Sequence, residues 1–485
     1  MTESGPVILA VDLGTSELKV ALVGADGRLL AEARRAYPTE VDPATHAAEQ
    51  RPAEWSRALT EAVLADLAAA PGRSSIAAIC VVGQGPTMVA VDGRGAATHP
   101  AITWLDGRPA SEASELELAT GLAGWSLGIL PAARWLERHD PAAAARTRWY
   151  LNAWEWGALS LAEVAAATRS LGQVVADRDR LAATGLAVQR LPPVVETGTI
   201  VGGLTPRAAA ELGLAKGIPV VAGTNDAFAS FLGAGLLERG DAIDTGGTSG
   251  GLAVYWDAQV DVPGSWVAPA PIAGRWLVGG AMTATGRALD WLADDVLGGV
   301  PVETLIAEAA AVRPGCDGLV FLPYLAGERS PLWDPEARGA FVGLTLVHGR
   351  GHLARAVLEA AAYALRHVAA PIRAAGLGID RLVVTGGTAR SEEWNRIKAD
   401  VIGVPVDVPE VRETALLGAA MLGAVAVGLH SDLPAAIRAI ARVDHRLEPD
   451  PATAAAYDAG FERYTAVWPA IAPIVHRLGE ERGPG

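Results

Sequence analysis

VILAVDLGTSELKVALV, from Val7 to Val23, shares its pattern with GDAIDTGGTSGGLAVYW, from Gly240 to Trp256. Each stretch has an apolar approach, an aspartate (Asp12, Asp244), a Gly-Thr-Ser step and a second strand-like run leading away. Short apolar runs bounded by glycine read as buried strands. The repeated pattern suggests two related halves, whose Gly/Ser/Thr turns would face one another across a cleft. A boundary near Gly240 follows, so we expect domains over residues 1–240 and 241–430 and a helical appendage over 431–485.

Outward from these turns the chain alternates strand and helix. Alternation around GADG predicts a hairpin with Asp26-Gly27 at its turn. PVVAGTNDAFASFLGAG, Pro219 to Gly235, reads as strand, tight turn and small-residue helix, with Asp226 at the turn. IDRLVVTGGTARSEEWNRIKADVIGVPVDVP reads as strand, glycine turn, helix and strand. HLARAVLEAAAYALRHVAAPIRAAG is a long helix that Pro371 bends or ends, and TALLGAAMLGAVAVG is a helix with small faces. The class is α/β.

The 485 residues are enough for two or three domains, and 50% hydrophobic with 20% charged residues marks a folded chain. The formal charge of -15, with no stripe of Lys or Arg, argues against nucleic acid as a partner. The two cysteines, Cys80 and Cys316, sit in apolar runs and read as buried thiols. None of the nine histidines forms a metal pair, so no zinc site is expected. The start MTESGPVILAVDLG lacks a basic segment followed by an apolar one, and no stretch is long enough to span a bilayer. The expected location is the cytoplasm.

The phosphate loop GxxxxGK[ST] is absent. Gly14, Thr15 and Ser16, and likewise Gly247, Thr248 and Ser249, supply close backbone amides and hydroxyl donors, which together make an anion nest. Asp12 ends a buried strand and needs a partner: Mg²⁺ beside a triphosphate, or the amides of its own turn. Lys19 alternates with apolar residues, facing either phosphates or solvent. Gly386 and Gly387 follow the strand RLVV and open another close approach to a ligand, along which an adenosine could lie. Asp226 either caps its helix or takes a proton from a substrate.

Eight motifs, AVDLGTSELKVALV, GQGPTMVAVDGRG, AITWLDGR, LPPVVETGTIVGGLT, GIPVVAGTNDAFASFLGAG, DTGGTSG, GLVFLPYLAGERSP and LVVTGGTARSEEWNRIKADVIGVPV, follow one another from about residue 7 to 430. In these motifs and their order the chain resembles the FGGY family of carbohydrate kinases, and is most similar to its xylulose kinase-like branch. The resemblance implies two actin-like (ribonuclease H-like) ATPase domains flanking a central cleft. It implies transfer of the γ-phosphoryl group of ATP, with Mg²⁺, to a hydroxyl of a small sugar or polyol. Asp226 would then be the catalytic base, and Asp12 would hold the metal. Gly14 to Ser16 and Gly247 to Ser249 would be the phosphate turns. Gly386 and Gly387, with Asn395 beyond them, would bind adenosine. Trp104 and Asp106, in WLDGR, match a motif beside the sugar. Gln84, Thr87 and Asn225 complete the expected sugar side.

Two places depart from the family pattern. Gly85 and Pro86 stand where xylulose kinases carry a Met-His pair and glycerol kinases an Arg-Glu pair, so a familiar sugar contact is gone. Gln84, Thr87 or a water would replace it, or the substrate differs. D-xylulose is the expected acceptor; ribulose, gluconate, erythritol and glycerol stay open, as does a non-catalytic ATP-binding protein. Between residues 149 and 192 the composition is atypical, and Trp154, Glu155 and Trp156 read either as sugar contacts or as core. The loop ERSPLWDPEARG reads as local ion pairing. The Ala- and Trp-rich region could support a homodimer.

Overall fold

The computed structural model describes residues 5–122, 124–169, 178–183, 185–247 and 249–480. The chain folds into two compact units. The first comprises Met1–Gly235 with Glu413–Ala441, the second Leu236–Arg412 with Arg442–Gly485.

The first unit is built on a six-stranded sheet of β1 (Val7–Leu13), β2 (Glu17–Gly24), β3 (Leu29–Ala36), β4 (Ile76–Gly83), β5 (Ile200–Gly203) and β6 (Pro219–Asn225), in the order β5-β6-β4-β1-β2-β3. β1 is buried along its whole length, as expected of a central strand covered on both faces. β3, LLAEARRA, puts its charged residues outward on the sheet edge, which discourages pairing with another chain. β1 runs antiparallel to β2 and parallel to β4, which is parallel to β6. The β2–β3 hairpin turns at Asp26-Gly27, with Gly27 at φ 83°. A second, five-stranded sheet includes Ala47–Gln50, Met88–Val91 and Trp149–Asn152.

The second unit has a seven-stranded sheet of β7 (Asp241–Asp244), β8 (Gly250–Trp256), β9 (Trp266–Pro269), β10 (Trp276–Met282), β11 (Arg381–Val384), β12 (Val406–Pro409) and β13 (Val443–Leu447), in the order β9-β10-β8-β7-β11-β12-β13. β7 is antiparallel to β8 and parallel to β11, and β11 is parallel to β12. The series β3-β2-β1-β4-β6-β5 therefore recurs as β10-β8-β7-β11-β12-β13, strand for strand and with the same directions. The short repeat in sequence marks a repeat of topology.

The division of the chain differs from the linear one expected. The Thr414–Ala426 helix belongs to the first unit, where it packs on the Asp226–Gly233 helix and on β1. Its glycines allow this: a Cβ on Gly418 would overlap the carbonyl of Ala229, and one on Gly423 would press on Ile8. A helix that is apolar all round is a core helix, and this one lies in the interior of the first unit. Residues 442–485 are not an appendage. They add β13 to the second sheet, and their Ala454–Glu480 helix buries Tyr457 and Tyr464 against that unit's core. Pro371 sits in the last turn of the Arg350–Ala374 helix and does not break it. Cys80 and Cys316 are buried free thiols. No helix among the described residues is long and apolar enough to cross a membrane.

Candidate active site

In the first unit the strand ends bring two carboxylates together. Asp12 lies one residue before the end of β1, and Asp226 opens the helix that follows β6. Asp12 is 5% exposed, and its Oδ1 has no hydrogen-bond partner among the described residues. Burial, and then the negative charge of Asp226, push the Asp12 carboxyl up to about 7. Asp226 is also raised, by burial, while the Ala227 amide and the Lys19 charge pull it back. Its Oδ1 accepts the Ala227 N–H at 2.7 Å, and Asn225 Oδ1 accepts the same N–H at 3.0 Å. Asn225 is thus the N-cap, and Asp226 is the first helical residue with its carboxylate held by the first turn.

The 14–16 turn is held from its outer side. Tyr37 and Gln84 donate to the Gly14 carbonyl, and Gln50 Nε2 donates to Thr15 O at 2.6 Å. Gly14 N–H is spent on Glu17 O. Trp104 Nε1 donates to Thr15 Oγ1 at 3.0 Å, and the residue is 42% exposed, so it reaches this turn from the surface.

Other expected sugar contacts are support. Gln84 is 1% and Thr87 0% exposed; Gln84 Nε2 donates to Gln50 Oε1, and Thr87 donates to Gln84 Oε1. The Asp106 side chain is fully buried, and both its oxygens are taken, by the Ala48 and Arg108 amides and by the Arg108 guanidinium. It shapes the WLDGR loop and has no acceptor left to offer. Trp154, Glu155 and Trp156 are core residues: Trp154 donates to Thr168 Oγ1, Glu155 accepts from Asn152 and Thr168, and Trp156 packs on Trp55.

In the second unit the turns around Gly247 and Gly387 meet backbone to backbone. Thr388 N–H donates to Gly246 O at 3.2 Å, and Gly286 N–H donates to Gly247 O at 3.0 Å. Gly386 has φ 74°, and a Cβ there would strike the Gly246 carbonyl, so only glycine fits. Beside them opens a groove of about 700 Å³, lined by Gly247, Gly286 and Gly387, by the apolar Leu289, Val302 and Ile306, and by the carboxylates Asp290 and Glu303. Its size suits a nucleotide. An apolar wall suits a base, and carboxylates suit ribose hydroxyls. Asp244, which ends β7, is paired with Lys398 at 2.6 Å, and both are buried. Thr248 lies outside the described residues. Asn395 is 1% exposed and donates to Ala389 O, so it braces the 387–390 turn from inside and does not line the groove.

The N-terminal domain profile of the FGGY family of carbohydrate kinases matches residues 7–233, and the C-terminal domain profile matches residues 244–427. The chain belongs to the FGGY family of carbohydrate kinases. It is therefore an ATP-dependent sugar kinase with the two-domain actin-like ATPase fold, and ATP with Mg²⁺ is the phosphate donor of this family. A gluconokinase of Bacillus subtilis is 30% identical over 451 residues, 87% of this chain and 88% of that one. A xylulose kinase of Escherichia coli is 30% identical over 486 residues, 96% of this chain and 99% of that one. The crystal structure of a xylulose kinase from Rhodospirillum rubrum superimposes with TM-score 0.85 at 32% identity, covering 97% of this chain and all of that one.

An FGGY kinase needs a place for Mg²⁺, and the residues present fit one. A buried carboxylate with an unpartnered oxygen, raised by a second carboxylate, is stabilised by a cation. Mg²⁺ takes few protein ligands and completes its shell with water and phosphate, so a single buried carboxylate suits it. Sequence reasoning missed Lys398, Glu413 and the apolar groove wall. Val302 and Ile306 stand four apart on one helix, a spacing shared with any core helix.

Proposed function

We propose that this kinase phosphorylates a neutral ketopentose, D-xylulose first among them, with Asp226 as the base that receives the acceptor's proton. The observation that carries the reading is the Asp226 carboxylate itself, half-buried at a helix N-terminus beside Asp12. Burial makes it a stronger base than a free aspartate, and the Ala227 amide fixes its direction. The acceptor oxygen forms its bond to the γ-phosphorus as the bond from that phosphorus to ADP breaks, and the hydroxyl proton passes to Asp226. The transition state is loose, so the proton leaves late and a carboxylate suffices. Mg²⁺, held at Asp12, would offset charge on the phosphates. The amides of Thr15 and Ser16 are further donors to the transferring group.

A sugar acid is the second reading, since gluconokinases match at the same identity as xylulose kinases. A gluconate carboxylate would want a cation. Among the described residues, Lys19, on the strand after the 14–16 turn, is engaged by Glu413, and Arg108, in the WLDGR loop, by Asp106 and Glu49. This favours a neutral acceptor. The same reading sets the enzyme in the cytoplasm, where ATP is supplied.

ADP release measured over D-xylulose, D-ribulose, gluconate, erythritol and glycerol tests it. The highest kcat/KM is expected with D-xylulose. A higher value with gluconate or a polyol, or ADP release that no sugar stimulates, overturns it.

A further inference from the structure

Lys19 stands opposite Asp12 in the β1–β2 register, and its charge acts on both Asp12 and Asp226. A lysine has a flexible four-carbon stem, so the position of its charge depends on what holds it. Here Glu413 Oε2 holds Nζ at 2.8 Å. The other oxygen, Glu413 Oε1, accepts from Arg34 at 2.6 Å, and Arg34 is bonded in turn to Glu32 and Glu17. Glu413 is therefore anchored from the far side and cannot follow Lys19 if the lysine moves. Its backbone is fixed as well: it is the N-cap of the Thr414–Ala426 helix, whose small residues pack on β1 and β4. The arrangement is a rigid post with an ammonium tied to it.

We propose that Glu413 is a positioning residue for phosphoryl transfer: it acts through Lys19, keeping that ammonium beside the Asp12–Asp226 pair. Two carboxylates together repel the anionic phosphates they must work on, and a fixed ammonium offsets that repulsion. Glu413 touches neither substrate nor metal in this scheme. The proposal rests on the reading of Asp226 as the base.

The experiment is a double-mutant cycle of Glu413→Gln and Lys19→Met, with kcat and KM measured for ATP and for the panel sugar of highest turnover, and urea midpoints measured alongside. Glu413→Gln is expected to lower kcat about tenfold, with the sugar KM within about twofold. In the Lys19→Met background the same change is expected to have almost no further effect on kcat. Equal factors of kcat loss in both backgrounds would mean that Glu413 acts independently of Lys19, and a kcat loss that only tracks a fall in the urea midpoint would mean a purely structural pair; either result overturns the proposal. So does a Glu413→Gln enzyme at the wild-type kcat. If Glu413→Gln does not fold, Glu413→Asp keeps the charge, shortens the reach and carries the same cycle. Asp226→Asn, run in parallel, separates the two readings: turnover there at the wild-type rate removes Asp226 as the base, while the cycle still reports whether Glu413 works through Lys19.

Discussion

Asp12 and Asp244 occupy equivalent ends of the first strand in two sheets of one topology, yet only Asp244 has a buried ammonium against it, Lys398 Nζ at 2.6 Å. Asp12 instead keeps an oxygen with no partner among the described residues. One copy of the repeat is neutralised by a direct ion pair, and the other carries the aspartate we propose for Mg²⁺. Asp12→Asn removes a buried carboxylate with one oxygen unpartnered among the described residues. It is expected to stabilise the metal-free protein by about 1 kcal/mol, and to abolish the extra thermal stability that MgATP gives the wild type. Thermal unfolding with and without MgATP measures both effects.

Lys398→Met should do the reverse. It leaves Asp244 buried and unpaired, at a cost of about 3–5 kcal/mol in urea unfolding. Adding Asp244→Leu removes the stranded charge and should recover most of that loss, because breaking a buried pair costs more than replacing it.

Asp226→Asn should lower kcat by about 10²–10⁴-fold, the usual worth of a positioned base. Asn225 still caps the helix through the Ala227 amide, so the melting temperature is expected to change little. Steady-state kinetics and a melting curve on the same preparation check both halves of this statement.

Gly85 is where a family contact is missing, and the structure supplies a reason for the glycine. A Cβ there would lie 2.6 Å from Trp154 Cζ3 and 3.1 Å from Asn225 Nδ2. Gly85→Ala is expected to displace Asn225, which caps the Asp226 helix, and to lower kcat about tenfold while costing about 1–3 kcal/mol of stability. Combining it with Trp154→Leu should restore part of both. Kinetics and urea midpoints of the two variants are the measurement.

Asp241 gives a pH dependence with a definite sign. Burial raises its carboxyl, but the Arg381 guanidinium and the Leu237 and Glu238 amides outweigh that and hold it below the ordinary value. A carboxyl lowered by folding adds stability above its unfolded pKa, near 3.9, and loses it as pH falls through the folded value. Wild type should therefore be more stable than Asp241→Asn at pH 7, and the gap should close below about pH 4. Urea midpoints of the two proteins from pH 7 to 3 would show it.

What sequence conveyed well was local. Asp12, the 14–16 turn, the Asp26-Gly27 hairpin and the strand–turn–helix around Asp226 all follow from runs of fewer than about twenty residues, in which apolar alternation and glycine placement are decisive. Support of the site was illegible because it is assembled from afar. Gln50 reaches the 14–16 turn from 35 residues away, and Glu413 reaches Lys19 from 394 away. Nothing near either residue marks it. Asp106 misled for a related reason: a motif places a carboxylate but does not show that Arg108 and backbone amides already occupy it. The helical tail was misread because the strand it contributes, VDHRL, has little apolar character and forms only by pairing with β12.

The return of residues 413–441 to the first unit bears on how the protein is made. A ribosome that has released Gly235 has not yet supplied the helix that underlies β1 and β4, and nearly two hundred residues must emerge before it arrives. The N-terminal half therefore cannot mature ahead of its neighbour during translation. Expression of residues 1–235 alone would yield a sheet with one face bare, a substrate for chaperones and proteases.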